Sequence, residues 1–339
     1  MIADYLNRII NIDCKSGISN LTDNSIDCVV TSPPYFGLRD YGISEQIGLE
    51  ETPDLYIEKL LQIFSEVYRV LKKEGTFWLN IGDSYAGSGH GYLSEIKDKQ
   101  ATNKGTLFLE NRPPTPVPMG LKAKDLIGIP WMLAFALRDA GWYLRQDIIW
   151  NKTNPMPESV RDRCTKSHEY IFLLTKSKKY YFNYEAILEP AAFDGRKDTM
   201  MKGSQKYAEN YTGLNQQSFA SKGHERWPNK IRGYATKEGN IRFPASYHGS
   251  NIQTYPARNK RDVWTLSTKP LKEAHFASYP PELILPCILA GCPEQGIVLD
   301  PFIGSGTTAI VAKQNNHNYI GFELNPEYVA IGEKRINSI

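Results

Sequence analysis

The chain has little of what would tie it together covalently or hold a metal. Its five cysteines, Cys14, Cys28, Cys164, Cys287 and Cys292, are odd in number and scattered, with no CxxC pair among them. Neither a disulfide scaffold nor a zinc knuckle is indicated. No apolar run approaches the roughly 20 residues that cross a bilayer. The opening MIADYLNRIINIDC lacks a basic leader followed by a signal-like apolar run and cleavage site, so a soluble cytoplasmic protein with no membrane partner is expected. No repeat period or coiled-coil heptad occurs. His90 and His168 sit in no HExxH or zinc-deaminase arrangement, so no metal is expected. Charge of one sign is scarce as well: 40 Lys and Arg against 37 Asp and Glu leave a net charge of +3.

What is present is globular. Of 339 residues, 41% are hydrophobic, 23% charged and 12% aromatic, with 26 glycines and 21 prolines. That length suits two average domains, or one large α/β domain carrying an inserted module. The distribution of charge favours the insertion. Residues 191–263 hold 13 Lys and Arg against 6 Asp and Glu, and the rest of the chain holds 27 against 31. The same stretch has nine aromatics and seven glycines but five Leu, Ile or Val, namely Leu214, Ile231, Ile241, Ile252 and Val263. It reads as an irregular positive module or a small independently packed domain.

Around it the pattern alternates strand and helix. Residues 26–30 read as a buried strand that Pro33 and Pro34 must end, because two prolines cannot continue a central ladder. A helix is expected from Pro53 to about Lys72 on the spacing of Leu60, Phe64, Val67 and Leu71, then a strand at 76–81. Another helix is expected from Lys124 to about Ala140, with strands at 144–150 and 168–174. After the basic stretch come a strand at 296–300, a helix at 307–313, a strand at 318–324 and a last helix from Asn325-Pro326 to about Lys334. This order defines an α/β architecture. Residues 83–118, rich in Gly, Ser, Asn and Pro, read as a surface excursion or a lid.

Two short segments carry chemistry. In Asp300-Pro301-Phe302-Ile303-Gly304-Ser305-Gly306-Thr307-Thr308 a glycine-rich turn joins strand to helix. Gly304 and Gly306 allow close backbone approach or unusual dihedrals, and the helix start can offer N–H groups to an anionic ligand part. The P-loop lysine is missing, so the turn is a ligand loop of another kind or a structural one. Glu323, at the end of the next strand, can accept hydroxyl hydrogen bonds from a ribose, or is an acidic loop residue. In Thr31-Ser32-Pro33-Pro34-Tyr35 the rigid turn can aim the Ser32 hydroxyl and Pro33 carbonyl at an amino group while Tyr35 covers a heterocycle. It can also be a proline-stiffened turn with a packed tyrosine.

Together these segments resemble the DNA amino-methyltransferases in their beta-type, permuted order. TSPPY at 31–35 is similar to the catalytic signature of that family, and LDPFIGSGTT at 299–308 to its cofactor signature. RVLKKEGTFWLN (69–80), GWYLRQDIIWNK (141–152), HEYIFLLTKSKKYYFN (168–183) and HFASYPPEL (275–283) support it. The resemblance covers most of 9–190 and 262–336. It implies a Rossmann-like class I methyltransferase fold with a mainly parallel sheet and an inserted, irregular target-recognition region. Residues 1–190 would be the catalytic half, 191–263 the target-recognition region and 264–339 the cofactor half.

The function implied is methyl transfer from S-adenosyl-L-methionine to an exocyclic amino group of a flipped base in double-stranded DNA. Ser32, Pro33, Pro34 and Tyr35 would form the catalytic set. Thr31, Asp300, Phe302, Gly304, Gly306, Thr307 and Thr308 would face the cofactor, with Glu323 at the ribose, Asp13 near the adenine and His275 in the remaining wall. Thr307 and Thr308 can equally be helix caps. The TSPPY form favours cytosine N4, adenine N6 being the alternative, and a noncatalytic binding module a further one. Lys222, Arg226, Trp227, Lys230, Arg232, Tyr234, Lys237, Arg242 and Tyr247 are the candidates for DNA contact, as phosphate or base-edge contacts or as solvated residues. A cognate restriction endonuclease would share the system without a required contact; monomer and homodimer are both open. Pro286-Cys287 could suggest ring methylation by a thiolate, but its apolar setting points to a packed cysteine.

Overall fold

The computed structural model describes residues 2–38, 46–87, 117–118, 120–190, 234–235, 241–242, 257–268 and 279–339. It divides into two compact units, Met1–Ile187 with Lys260–Ile339, and Leu188–Asn259.

The first unit is built on an eight-stranded sheet. Its strands are β1 (Arg8–Asn11), β2 (Ile26–Thr31), β3 (Leu71–Ile81), β4 (Tyr143–Lys152), β5 (His168–Thr175), β10 (Val263–Leu266), β11 (Ile297–Asp300) and β12 (Asn318–Glu323), in the spatial order β1-β12-β11-β2-β3-β5-β4-β10. β5 runs antiparallel to both its neighbours, and every other pairing is parallel. A parallel sheet must be covered on both faces, and its central strands therefore read as continuous apolar runs. All six residues of β2 are buried.

Alternation along the strands divides the core in two. Val29, Phe77, Leu79, Phe172, Leu299 and Phe322 point to one side, where α1 (Cys14–Ser19), α2 (Pro53–Val70) and α3 (Ile129–Asp139) cover them. Cys28, Val30, Trp78, Ile171, Leu173 and Val298 point to the other, under α4 (Pro281–Gly291), α5 (Thr307–Gln314) and α6 (Pro326–Asn337). The result is a three-layer α/β sandwich.

Several local expectations shift. The helix expected from Lys124 begins at Ile129, because Lys124 and Gly128 have left-handed φ of 77° and 86°. Its start is capped from afar: Asp83 Oδ1 accepts the N–H groups of Gly128 at 2.9 Å and Ile129 at 3.1 Å. Helix α2 ends at Val70 rather than Lys72, and β3 takes over at Leu71, whose ψ is 136°. Val263, expected in the inserted region, opens β10 beside Ile149 of the main sheet.

In the second unit, β6 (Glu189–Pro190) pairs antiparallel with β9 (Ala257–Arg258), and Arg258 Nε donates to Glu189 Oε1 at 2.9 Å. β7 (Tyr234–Ala235) pairs antiparallel with β8 (Ile241–Arg242), with Tyr234 opposite Arg242. The other candidate DNA contacts, Lys222, Arg226, Trp227, Lys230, Arg232, Lys237 and Tyr247, lie outside the described residues, as do His275 and His90 and most of the 83–118 excursion.

Candidate active site at the carboxyl ends of the strands

Chain order reverses between β11 and β2. From β2 the chain moves outward to β3, and from β11 it moves the other way to β12. Such a switch point leaves a crevice beyond the carboxyl ends of the two strands, where open α/β sheets bind ligands. The last residues of these strands are Thr31 and Asp300, and both sequence signatures begin there.

Asp300 is 0% exposed. Its Oδ1 accepts the Thr31 hydroxyl at 2.5 Å and the Phe302 N–H at 3.0 Å. Its Oδ2 accepts the Tyr279 hydroxyl at 2.9 Å and the hydroxyl of Thr308. Burial raises the Asp300 carboxyl above its ordinary range, opposed by the hydrogen bonds from Thr308, Thr31, Phe302 and Tyr279. This carboxylate therefore ties the end of the TSPPY strand to the glycine loop, the start of α5 and the segment that leads into α4. Tyr279 is also raised well above its ordinary value, first by burial and then by Asp300, so it stays a hydrogen-bond donor.

The glycine loop shows two different uses of glycine. Gly304 has φ 52°, and a Cβ there would meet nothing within 4 Å among the described residues, so the space above it is open towards them. Gly306, with φ 83°, is closed in: a Cβ would lie 3.1 Å from Gly332 Cα and 3.2 Å from Ile9 Cδ1. Gly306 lets the loop pack on α6. Thr307 likewise turns to α6, where Arg335 donates to its hydroxyl at 3.4 Å and to Ser305 Oγ at 2.9 Å. Phe302 is half-buried against the α1–α3 core.

Glu323 closes the loop from the next strand. Its Oε2 accepts the Gly304 N–H at 2.9 Å and its Oε1 the Asn325 N–H at 2.8 Å. Burial lifts its carboxyl above the ordinary glutamate range, opposed by these backbone donors. Asp13 stands one strand further out as the N-cap of α1, with Oδ1 accepting the Ser16 N–H at 3.0 Å. Each carboxylate keeps lone pairs for a further partner.

On the other side of the switch point the TSPPY turn is held by its neighbours. The Pro34 carbonyl accepts the Tyr56 hydroxyl at 2.7 Å. The Tyr35 hydroxyl lies 2.7 Å from Glu169 Oε2, 3.2 Å from Asn80 Oδ1 and 3.4 Å from Ser32 Oγ. Glu169 also pairs with Lys152. Burial, then the nearby Glu169, pushes the Tyr35 phenol well above its ordinary value.

The sequence signatures thus meet at one mouth, linked by the Thr31–Asp300 bond. Sequence reading does not single out Asn80, Lys152, Glu169 or Tyr279. A signal exists for Asn80, the polar residue within the apolar run Phe77–Ile81 of β3, where it is 4% exposed. Among the described residues no group of three His, Cys, Asp or Glu could hold a metal, and no helix is long and apolar enough to cross a membrane. Cys287 is buried in α4 and burial drives its thiol far up, so it offers no thiolate for attack on a base ring.

This sheet, with its single antiparallel strand and its glycine loop after β11, is the Rossmann-like class I methyltransferase fold. The solved PvuII DNA methyltransferase, described as cytosine-N4-specific, matches it with a TM-score of 0.58 over 96% of this chain and 85% of that one, at 17% identity. A putative DNA modification methylase of Thermus thermophilus, solved in complex with S-adenosyl-L-methionine, matches with a TM-score of 0.53 at 20% identity, over 98% of this chain and 95% of that one.

A family model described as DNA methylase, of the N6/N4 type, matches residues 26–334, and the chain belongs to that family. It is 43% identical to the type II methyltransferase M.XycI of Xanthomonas campestris pv. cyanopsidis and 44% identical to M.Cfr9I of Citrobacter freundii. Each match spans 96% of this chain and 85% of the relative.

Proposed function

We propose that the chain is a beta-type, site-specific DNA methyltransferase that uses S-adenosyl-L-methionine to methylate the N4 amino group of cytosine in duplex DNA. The observation that carries this reading is the 2.5 Å bond from Thr31 to Asp300, which joins an amino-binding turn to a cofactor loop at one strand-end crevice. The residues fit an adenosine-containing cofactor. Glu323 can accept ribose hydroxyls on its remaining lone pairs, Asp13 at the start of α1 would face the adenine, and the space above Gly304 is open among the described residues. S-adenosyl-L-methionine, when bound, supplies an electrophilic methyl group.

The protein's part is alignment. Ser32 Oγ and the Pro33 carbonyl accept hydrogen bonds from the amino group and turn its lone pair towards the methyl carbon, and the proton lost from the methylated nitrogen passes to solvent; the Pro34 carbonyl is engaged by Tyr56. Tyr35 stacks on the extrahelical base. Asp300 and Thr308 act from behind, holding the loop against the TSPPY strand rather than contacting the cofactor through their side-chain oxygens. Thr307 and Gly306 do the same towards α6. Catalysis is then preorganisation of existing charge and geometry, with no covalent enzyme intermediate. The preference for cytosine N4 over adenine N6 rests on the resemblance of TSPPY to the cytosine-N4 form of the family signature. The positive balance of 191–263 supports phosphate attraction, and its place between the two catalytic halves supports a role for it in choosing the DNA sequence. The type II relatives support a restriction-modification setting.

Methyl-labelled cofactor incubated with sequence-diverse duplex DNA, RNA and a protein mixture tests the substrate class. Label in duplex DNA is the expected outcome. Label in RNA or protein with none in DNA would overturn the reading.

A further inference from the structure

We propose that Glu169 is a positioning residue for Tyr35, holding the ring in the plane needed to stack on the target base. The inference rests on the stacking role given to Tyr35 above and adds the device that sets the ring's orientation. The TSPPY turn lies past the end of β2, where two prolines remove the ladder hydrogen bonds that would otherwise hold it. Something else must fix the ring. Gly82 makes room for it, since a Cβ at that position would lie 2.7 Å from Tyr35 Cε2. The phenol then reaches Glu169 Oε2 at 2.7 Å, a charge-assisted length for a hydroxyl donor.

Glu169 is itself held by neighbouring strands. Asn80 of β3 donates to Oε2 at 3.3 Å and to the Tyr170 carbonyl at 3.0 Å. Lys152 of β4 pairs with Oε1, its ammonium 4.5 Å above the Trp150 ring centroid. The carboxylate thus has little rotational freedom, and the hydroxyl of Tyr35 is aimed at a fixed point. Burial and Glu169 both hold the phenol protonated, so the bond is a tether and not a route for a proton. A small misplacement of a group that aligns reactants can cost as much as ~100-fold in rate, which gives the tether its value.

Single-turnover methyl transfer at saturating cofactor, on a duplex carrying a mapped target site, tests the proposal with Tyr35→Phe, Glu169→Leu and the double variant. Each single change should slow transfer by about tenfold, with cofactor affinity unchanged. The double variant should be no more than about twofold slower than the slower single, because both remove one bond. A Glu169→Leu effect of the same size in the Tyr35→Phe background would overturn the tether, as would a parental rate for Glu169→Leu. If the orphaned Lys152 impairs folding, Glu169→Leu with Lys152→Met removes both charges and is read in the same way. Tyr35→Ala separates the two claims: a parental rate there removes the stacking role itself. A slow Tyr35→Ala with a parental Glu169→Leu rejects the tether alone.

Discussion

Asp300 and Glu323 close adjacent strands, yet their side chains face different tasks. Asp300 accepts four hydrogen bonds from within the chain, whereas Glu323 accepts two from backbone N–H groups and retains acceptor capacity. Glu323 is therefore the better ligand for hydroxyls. Since burial raises its carboxyl above the ordinary 4.5, it takes up a proton at a higher pH than a free glutamate. Cofactor affinity should accordingly fall on acidification while the pH is still above 4.5, as an acceptor is lost. In Glu323→Gln affinity should be weaker and flat over the same range. Calorimetric titration of S-adenosyl-L-methionine, with circular dichroism confirming the fold at each pH, measures this. The same acid limb in Glu323→Gln would assign the titration elsewhere. Ser32, Tyr35, Asp300 and Glu323 are legible in the sequence because each lies in a short contiguous segment. Glu169 is not, because its partner Tyr35 is 134 positions away and no local spacing links them.

Long elements can be read from the chain, and short ones only where a motif marks them. The apolar runs of β2, β3 and β5 and the four-three-four spacing of α2 identify themselves, and the four-residue β11 is marked by the glycine turn that follows it. β1 and β10 have four residues each and α1 has six, too few for a period to stand out. The start of α3 escapes local reading because its cap comes from Asp83 rather than from the residues before it. The glycine loop gives a test at this scale. Gly306→Ala must place a methyl 3.1 Å from Gly332 Cα with φ at 83°, so it should cost about 1–3 kcal/mol of stability through the α5–α6 contact, on top of the roughly 1–2 kcal/mol of a left-handed backbone. Gly304→Ala meets no neighbour within 4 Å and should cost only the roughly 1–2 kcal/mol of its left-handed backbone. Denaturant unfolding of both variants checks the order. A larger loss at Gly304 would contradict the packing role given to Gly306.

For the whole molecule, the order of the segments along the chain and the order of the strands in space agree on one location. The TSPPY turn and the glycine loop lie 269 positions apart at the Thr31–Asp300 bond. They meet because the sheet reverses its winding between β2 and β11. The mainly parallel α/β sheet is readable from alternating elements, while the antiparallel setting of β5 is not, since pairing direction leaves no mark on a short apolar run. The second unit spans Leu188–Asn259, and the stretch that stands out in charge and composition is 191–263.

The methylated nucleoside reports the reaction most directly. Duplex DNA of diverse sequence is incubated with the protein and S-adenosyl-L-methionine, digested to nucleosides, and separated by liquid chromatography with mass spectrometry. N4-methylcytosine is the predicted product. N6-methyladenine without N4-methylcytosine would contradict the choice of base while keeping amino-group transfer, and 5-methylcytosine alone would contradict the mechanism.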